Sequence, residues 1–288
     1  MPSPEATTGL GALAGRYDAL LCDVWGVIHN GRESFPAACD ALVRWGREVG
    51  PVVLISNSPR PSHDVKGQLR ALGVPDAAWS GFVTSGDVTR HEIAARAPAR
   101  VWHIGAPRDR VLLEGLPVER TGPEDADFVV CSGPEDDERE TAEDYRARLQ
   151  VCAARGLAMI CANPDRVVQR GDRLIVCGGA LADLYGTLGG EVVMAGKPFP
   201  PIYAETLAEA DRLAGRTLDR GRVLCIGDGL QTDVAGANRA GLPLLFIAAG
   251  IHAADMRDVA GGLDARLAAA FLSAAGARAD HVMGDLAW

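Results

Sequence analysis

Short, wholly apolar runs alternate with amphipathic stretches along the whole chain, and this alternation restricts the possible folds more than any other feature. Wholly apolar runs of about four residues are typical of parallel strands that are covered on both faces. The stretches between them repeat apolar residues every three or four positions, as helices with one buried face do. The pattern predicts an α/β fold with parallel sheets. The predicted strands are residues 19–22, 52–55, 101–104, 128–131, 158–161, 174–176, 192–194, 223–226 and 244–247, with helix faces over 38–49, 142–152 and 203–213.

The composition argues against several classes of protein. The formal net charge is -9, and nucleic acids or anionic membrane surfaces require clustered cations, so neither is expected as a partner. The seven cysteines form no CxxC pair and lie mostly in apolar runs, which is typical of buried free thiols. The chain shows no signal peptide and no run approaching the ~20 apolar residues of a membrane span. We therefore expect a cytoplasmic protein.

Polar residues follow four of the predicted strands. In open α/β sheets, ligands bind beyond the carboxyl ends of the strands, and if these four strands are neighbours their polar residues meet in one crevice. The residues in question are Asp23 after the first strand, Ser56 and Asn57 after the second, Lys197 after 192–194, and Asp228 with Asp233 after 223–226.

These groups together suit phosphoryl transfer. A carboxylate can attack phosphorus and form an acyl phosphate, which divides one difficult step into two. Because carboxylate and phosphate repel each other, a hard cation must lie between them, and Mg²⁺ prefers such oxygen ligands. A lysine and a hydroxyl would hold the other phosphoryl oxygens. Each residue alone is more often a cap, turn or surface residue, so the prediction depends on their joint occurrence.

The same residues, in this order, resemble the motifs of the haloacid dehalogenase superfamily. The long insert between Ser56 and Lys197 is similar to that of the class IIA members, the NagD-like and p-nitrophenyl-phosphatase-like proteins. The resemblance implies a Rossmann-like parallel-sheet core over 1–80 and 192–288, with an inserted α/β cap of the C2 type over 81–191. The matching segments are Asp23-x-x-Gly-Val, Ser56-Asn57, Gly196-Lys197-Pro198 and Gly227-Asp228-x-x-x-Thr232-Asp233, with further matches at 82–85, 162–165 and 177–180.

The resemblance also implies catalytic roles. Asp23 would be the nucleophile, Ser56 and Asn57 would contact the phosphoryl group, and Lys197 would neutralise it. The implied function is Mg²⁺-dependent hydrolysis of a small phosphorylated metabolite through an aspartyl-phosphate on Asp23. The resemblance is also compatible with a homodimer.

The implied metal site contains the one departure from the family pattern. Asp23, Asp228 and the backbone carbonyl of Trp25 would hold Mg²⁺, with Asp233 as a supporting ligand. Phosphatases of the family usually carry an acid–base Asp at the position of Trp25, and an indole has no proton chemistry near neutral pH. Three interpretations follow: His29 substitutes as the acid, the substrate has a good leaving group, or the protein binds a phosphorylated metabolite and scarcely hydrolyses it. For His29, the alternative to an acid is a histidine that only packs the loop.

Two cap residues and one competing class of protein complete the sequence-based predictions. Asn163 and Asp165 match a family motif and would contact the substrate, while the alternative is a simple Asn-Pro-Asp turn. Gly227-x-Gly229 after a strand resembles the start of a dinucleotide-binding fingerprint. Because the third glycine position holds Thr232 and a carboxylate stands between the glycines, we favour the phosphoryl-transfer interpretation.

Overall fold

The computed structural model describes residues 3–170, 173–250, 256 and 263–288. Its strands are β1 (Glu5–Ala6), β2 (Ala19–Cys22), β3 (Val52–Ser56), β4 (Gly81–Thr84), β5 (Ala99–Ile104), β6 (Val118–Arg120), β7 (Phe128–Cys131), β8 (Ala158–Cys161), β9 (Val167–Arg170), β10 (Arg173–Val176), β11 (Glu191–Met194), β12 (Val223–Gly227), β13 (Leu244–Ile247) and β14 (His281–Met283). The α-helices are α1 (Pro36–Glu48), α2 (Ser62–Ala71), α3 (Ser85–Ala94), α4 (Arg146–Ala154), α5 (Gly178–Thr187), α6 (Pro200–Ala214), α7 (Ala235–Ala240) and α8 (Ala265–Ala274).

The chain divides into two compact units, each with its own sheet. The first unit contains Met1–Ser56, Lys66–Val83 and Tyr203–Trp288, and the second contains Asn57–Val65 and Thr84–Ile202. The predicted α/β fold class, with a Rossmann-like core sheet and a separate α/β cap sheet, is confirmed. The predicted domain boundaries stay a prediction.

The sheet of the first unit has the order β1-β14-β13-β12-β2-β3-β4, and the pairings of β2 with β3 and with β12 are parallel. Apart from β1, this is the order of a doubly wound nucleotide-binding sheet, in which the order of the strands reverses between β2 and β12. All four residues of β2 are buried, as its wholly apolar sequence predicts. Helix α1 also buries the predicted face, since Ala38, Leu42 and Trp45 are inaccessible to solvent.

The sheet of the second unit has the order β11-β8-β7-β5-β6, with parallel pairings throughout. Strands β9 and β10 pair separately and antiparallel. One core between this sheet and its helices contains Tyr145, Leu149 and Cys152 from the predicted helical face over 142–152. The sequence left open whether residues 192–194 neighbour the strands that carry Asp23 and Asp228, and in the structure β11 pairs with β8 in the second sheet. Strand neighbours depend on long-range packing, which an apolar run does not encode.

All seven cysteines are free and buried, as predicted. In the segments that the structure describes, the helices are all too short or too polar to cross a bilayer.

Candidate active site

Asp23 and Asp228 lie at the point where the first sheet reverses its strand order. Strands β2 and β12 are neighbours, with Cys22 opposite Ile226. The Asp23 N–H donates to the Ile226 carbonyl at 2.8 Å, so the ladder continues to the first residue after β2. Asp228 directly follows β12. The carboxyl ends of strands at such a switch point form the usual ligand crevice of this architecture.

Three carboxylates meet at this crevice. Oxygen atoms of Asp23, Asp228 and Asp233 lie within 4.8 Å of one another, and all three residues are buried. Buried like charges at this spacing repel one another unless a cation or bound protons neutralise them. Carboxylate oxygens are the ligands that Mg²⁺ prefers. The donor set therefore fits a divalent metal of the magnesium type, and Mg²⁺ as the metal stays a prediction.

The loop after β12 orients Asp233. The Gly229 N–H donates to Asp233 Oδ2 at 3.1 Å, and the Thr232 hydroxyl donates to the same oxygen at 3.3 Å. The Asp233 N–H in turn donates to the Gly229 carbonyl at 2.9 Å. A one-turn π-helix, Leu230–Val234, carries Thr232 and Asp233, and Gly229 directly precedes it. Gly229 and Thr232 thus hold the Asp233 carboxylate in place. A loop that binds a dinucleotide would not need an oriented carboxylate.

The loop after β2 packs its backbone against Asp228. Gly26 has φ +83°, a conformation that favours glycine, and a Cβ at this position would overlap Asp228 Oδ2. The Gly26 N–H donates to the His29 carbonyl at 2.8 Å and closes the turn. The Trp25–Gly26 peptide therefore lies beside the carboxylate cluster, and the Trp25 carbonyl as a metal ligand stays a prediction. The Trp25 side chain is 36% exposed.

His29 is buried and electrically neutral near pH 7. Burial lowers the pKa of His29 to about 4. Its Nδ1 accepts a hydrogen bond from the Gly31 N–H at 2.9 Å, so the ring proton belongs on Nε2. A neutral imidazole is a very weak acid. This environment favours the packing interpretation of His29 over its use as a substitute acid.

Asn57, Asp165 and Lys197 form a second group, within the second unit. Lys197 is 2% exposed and Asn57 is 8% exposed. The Lys197 N–H donates to Asn57 Oδ1 at 2.6 Å, and Asn57 Nδ2 donates to the Lys197 carbonyl at 3.1 Å. Asn57 Nδ2 also donates to Asp165 Oδ1 at 2.9 Å. The carboxamide is therefore engaged by protein on both sides, and contact between Asn57 and a phosphoryl group stays a prediction.

Ser56 and Asn163 are the remaining predicted site residues. Ser56 ends β3, the strand that pairs with β2, and is half-buried. Asn163 Oδ1 accepts from the Asp165 N–H at 3.1 Å, which is the geometry of an Asx turn. The structure thus gives Asn163 a local role, and its contact with substrate stays a prediction.

Gly250 was not anticipated from the sequence. It follows β13, and a Cβ added there would overlap the Asp228 carboxylate. A glycine after an apolar run is the only sequence signal for this packing, and it does not distinguish Gly250 from other glycines of the chain.

Comparison with known proteins agrees with this geometry. Residues 20–119 match the family model of haloacid dehalogenase-like hydrolases, and residues 194–287 match a HAD-hydrolase-like model. A haloacid dehalogenase-like hydrolase from Brucella suis 1330 has a crystal structure with 46% sequence identity and a TM-score of 0.84, covering 97% of this chain and 99% of that one. The chain therefore belongs to the haloacid dehalogenase-like hydrolases, in the class IIA group of NagD-like and p-nitrophenyl-phosphatase-like proteins.

Characterised relatives are phosphatases. The D-glycerol 3-phosphate phosphatase of Mycobacterium tuberculosis (strain ATCC 25618 / H37Rv) is 30% identical over 84% of this chain, which spans 66% of that protein. The ribonucleotide monophosphatase NagD of Escherichia coli (strain K12) is 25% identical over 82% of this chain and 89% of its own length. A crystal structure of glycerol phosphate phosphatase from Mycobacterium tuberculosis in complex with magnesium is 26% identical, with a TM-score of 0.66, and the match covers 89% of this chain and 78% of that one.

Proposed function

We propose that this protein is a Mg²⁺-dependent phosphatase that hydrolyses a small phosphorylated metabolite through an aspartyl-phosphate on Asp23. The observation that carries the proposal is the meeting of three buried carboxylates at the strand-order reversal of the first sheet. In a protein without a metal or phosphate to bind, three like charges this close would only reduce stability through their repulsion.

The reaction divides into two displacements. An oxygen of Asp23 attacks phosphorus, the bond between phosphorus and the leaving oxygen breaks, and an aspartyl-phosphate forms. Water then attacks that phosphorus, releases inorganic phosphate and restores the Asp23 carboxylate. A bound Mg²⁺ supplies the positive charge that lets a carboxylate approach a phosphate. We assign to Lys197 and Ser56 the binding of the phosphoryl oxygens, and to Asp228 and Asp233 the retention of the metal.

Trp25 limits the choice of substrate. The departing oxygen must take its proton from solvent, because an indole supplies none and His29 is neutral in its buried position. General acid–base catalysis typically contributes about 10²–10⁴-fold. We therefore expect good leaving groups, such as acyl phosphates and phenols, to react faster than alkyl esters do.

The relatives support the substrate class without selecting a member of it. They act on glycerol 3-phosphate and on ribonucleotide monophosphates, which share a phosphomonoester on a small, hydroxylated carrier. The magnesium in a relative of 26% identity supports the same metal for the carboxylates of this chain. A homodimer stays a prediction.

The same observation about Trp25 supports a second candidate function. Without an acid, the protein would bind a phosphorylated metabolite and hydrolyse it scarcely or not at all. In that case the site would act as a metal-dependent sensor or carrier of the metabolite.

Turnover of a substrate panel separates the two functions. Purified protein is assayed on phosphorylated metabolites, p-nitrophenyl phosphate and acetyl phosphate, with Mg²⁺ and with EDTA. We expect Mg²⁺-dependent turnover that Asp23→Asn lowers by about 10³-fold or more, as removal of a nucleophile does. Asp18→Asn is the matched control, since Asp18 pairs with Arg216 and Arg222 outside the carboxylate cluster.

Each outcome of this assay has a definite meaning. Turnover that survives EDTA or Asp23→Asn would refute the proposed mechanism. Mg²⁺-dependent binding of a metabolite without turnover on any ester would establish the second candidate instead.

A further inference from the structure

We infer that Asn57 and Asp165 are positioning residues that set the backbone of Lys197, and that the Asn57 side chain acts through Lys197 rather than on the substrate. The inference rests on the proposed function, because the position of Lys197 matters to catalysis only if its ammonium group holds the phosphoryl group. Contacts within the second unit carry it.

A single carboxamide binds both backbone groups of Lys197. Asn57 Oδ1 accepts from the Lys197 N–H at 2.6 Å, and Asn57 Nδ2 donates to the Lys197 carbonyl at 3.1 Å. The two hydrogen bonds form a ring between the Asn57 side chain and the Lys197 backbone. The ring restrains the position of the Lys197 Cα and the direction in which its side chain leaves the backbone. Catalytic groups depend on such restraint from residues around them.

Asp165 fixes the orientation of this carboxamide. Asn57 Nδ2 donates its second hydrogen to Asp165 Oδ1 at 2.9 Å. An ionised carboxylate only accepts hydrogen bonds, as does the Lys197 carbonyl, so both must face the NH₂ group and not the oxygen. Turning the amide over would place its oxygen against two acceptors and its NH₂ against an N–H donor. One orientation alone satisfies all three bonds.

Asp165 is itself held in place. Its N–H donates to Asn163 Oδ1 at 3.1 Å, and its carbonyl accepts from the Gly179 N–H at 3.0 Å. Gly179 belongs to the first turn of α5, so the loop after β8 is attached to a helix of the same unit. The carboxylate that orients Asn57 thus comes from a supported turn.

The packing leaves little room for a substitute partner. A Cβ at Gly196 would lie 2.5 Å from Asn57 Oδ1 and 2.8 Å from Pro164 Cδ, so the chain before Lys197 can approach only because residue 196 is glycine. Lys197 and Asn57 are both buried. A backbone N–H or carbonyl that loses its partner there has limited access to water, which makes its loss costly.

An isosteric exchange tests the donor pattern. Asn57→Asp keeps the shape of the side chain but replaces its NH₂ group with an oxygen. That oxygen cannot donate to Asp165 Oδ1 or to the Lys197 carbonyl, which are both acceptors. We expect kcat/KM on the preferred ester to fall roughly 10- to 100-fold, because a small displacement of the Lys197 ammonium group costs this much in rate. Asp165→Asn alone should cost less than about 5-fold, because its amide oxygen still accepts from Asn57. The pair Asn57→Asp with Asp165→Asn should recover part of the loss, because the new amide donates to the new carboxylate.

A double-mutant cycle with Lys197→Ala distinguishes positioning from direct substrate contact. If Asn57 acts through Lys197, Asn57→Asp should change kcat/KM by less than about 3-fold once the ammonium group is absent, because residues that act as a unit are not additive. Affinity for inorganic phosphate with Mg²⁺, measured by calorimetry, should follow the same pattern. A full 10-fold or greater loss in the Lys197→Ala background would overturn the inference.

Asn238→Asp is the matched control. Asn238 forms the same ring with a residue of backbone, donating to the Arg278 carbonyl at 2.7 Å and accepting from the Arg278 N–H at 2.9 Å, but it is outside the family motifs. We expect it to change the melting temperature and not kcat/KM. A role of Asn57 that is only structural would instead make Asn57→Asp behave like this control, and would overturn the inference.

The failure of this inference and that of the proposed function give different results. If the wild-type protein neither turns over any ester nor binds phosphate with Mg²⁺, the proposed function is wrong and the inference is lost with it. If the wild-type protein is active and the cycle is additive, only the role given to Asn57 and Asp165 is wrong.

Discussion

Trp25 shows how a single residue changes the chemistry expected of an otherwise preserved site. The carboxylates that would hold the metal and attack phosphorus are grouped as the motifs predict, but the position that usually supplies a proton carries an indole. Trp25 is 36% exposed, so its replacement by a smaller polar side chain buries no new charge in the core.

Trp25→Asp should restore an acid–base group. We expect kcat/KM on alkyl esters such as glycerol phosphate to rise about 10²-fold or more, as general acid catalysis typically contributes about 10²–10⁴-fold, and kcat/KM on p-nitrophenyl phosphate to change little. The phenol leaves without protonation, which explains the difference. Steady-state kinetics on both esters checks this, with Trp25→Phe as the control that keeps the aromatic ring. Equal gains on both esters would contradict the role assigned to the position.

At the scale of elements, two strand-to-loop junctions build the candidate metal site. Strands β2 and β12 align Asp23 with Asp228, and the turn after β2 brings its backbone against Asp228 at Gly26. The strands were predictable from their apolar runs. The contact at Gly26 was not, because it joins residues that are 202 positions apart in sequence.

Gly26→Ala should weaken metal binding specifically. The substitution strains a backbone with φ +83° and displaces the Asp228 carboxylate that an added Cβ would overlap. We expect Mg²⁺ affinity, measured by calorimetry, to fall about 10-fold or more, the size of effect seen for residues that orient metal ligands. Gly241→Ala is the control, since Gly241 has φ 68° but no atom within 4 Å of an added Cβ. It should lower stability and leave Mg²⁺ affinity unchanged; parallel losses in the two variants would refute this account.

At the scale of the whole molecule, buried histidines make stability depend on pH. Burial, followed by the charges of Arg120 and Arg110, lowers the pKa of His103 to about 4 from its ordinary value of 6.5. A lowered pKa means that folding favours the neutral ring. The stabilisation is therefore complete above pH 6.5 and is lost as the pH falls from 6.5 toward 4.

His103→Gln should flatten the acid side of the stability profile. Between pH 7 and pH 5, we expect wild-type protein to lose about 2 kcal/mol of unfolding free energy on account of His103 alone, and the variant to lose that much less. Urea unfolding at the two pH values measures the difference. Burial raises the pKa of Asp109, so the contribution of this carboxyl to the unfolding free energy increases as the pH falls. Asp109 is present in both proteins, so the comparison between them reports His103. Identical pH dependence in the two proteins would show that His103 does not titrate as described.

The amino-acid sequence by itself determined the α/β class, most of the long strands and the candidates for the residues that carry chemistry. These properties are local. An apolar run of four residues predicts a buried strand, and the sequence itself shows which residue follows that strand. Shorter or more polar strands, such as β6 with its exposed Glu119 and Arg120, carry no such signal and were not predicted.

Only the tertiary structure decided which strands are neighbours, which side chains already have partners and which groups are charged. It paired β11 with β8 in the second sheet, engaged the Asn57 carboxamide with the backbone of Lys197, and left His29 neutral. Each of these outcomes depends on contacts between residues far apart in sequence. Strand pairing, hydrogen-bond satisfaction and the pKa of a buried group are set by the surroundings that packing creates, which the order of residues does not display.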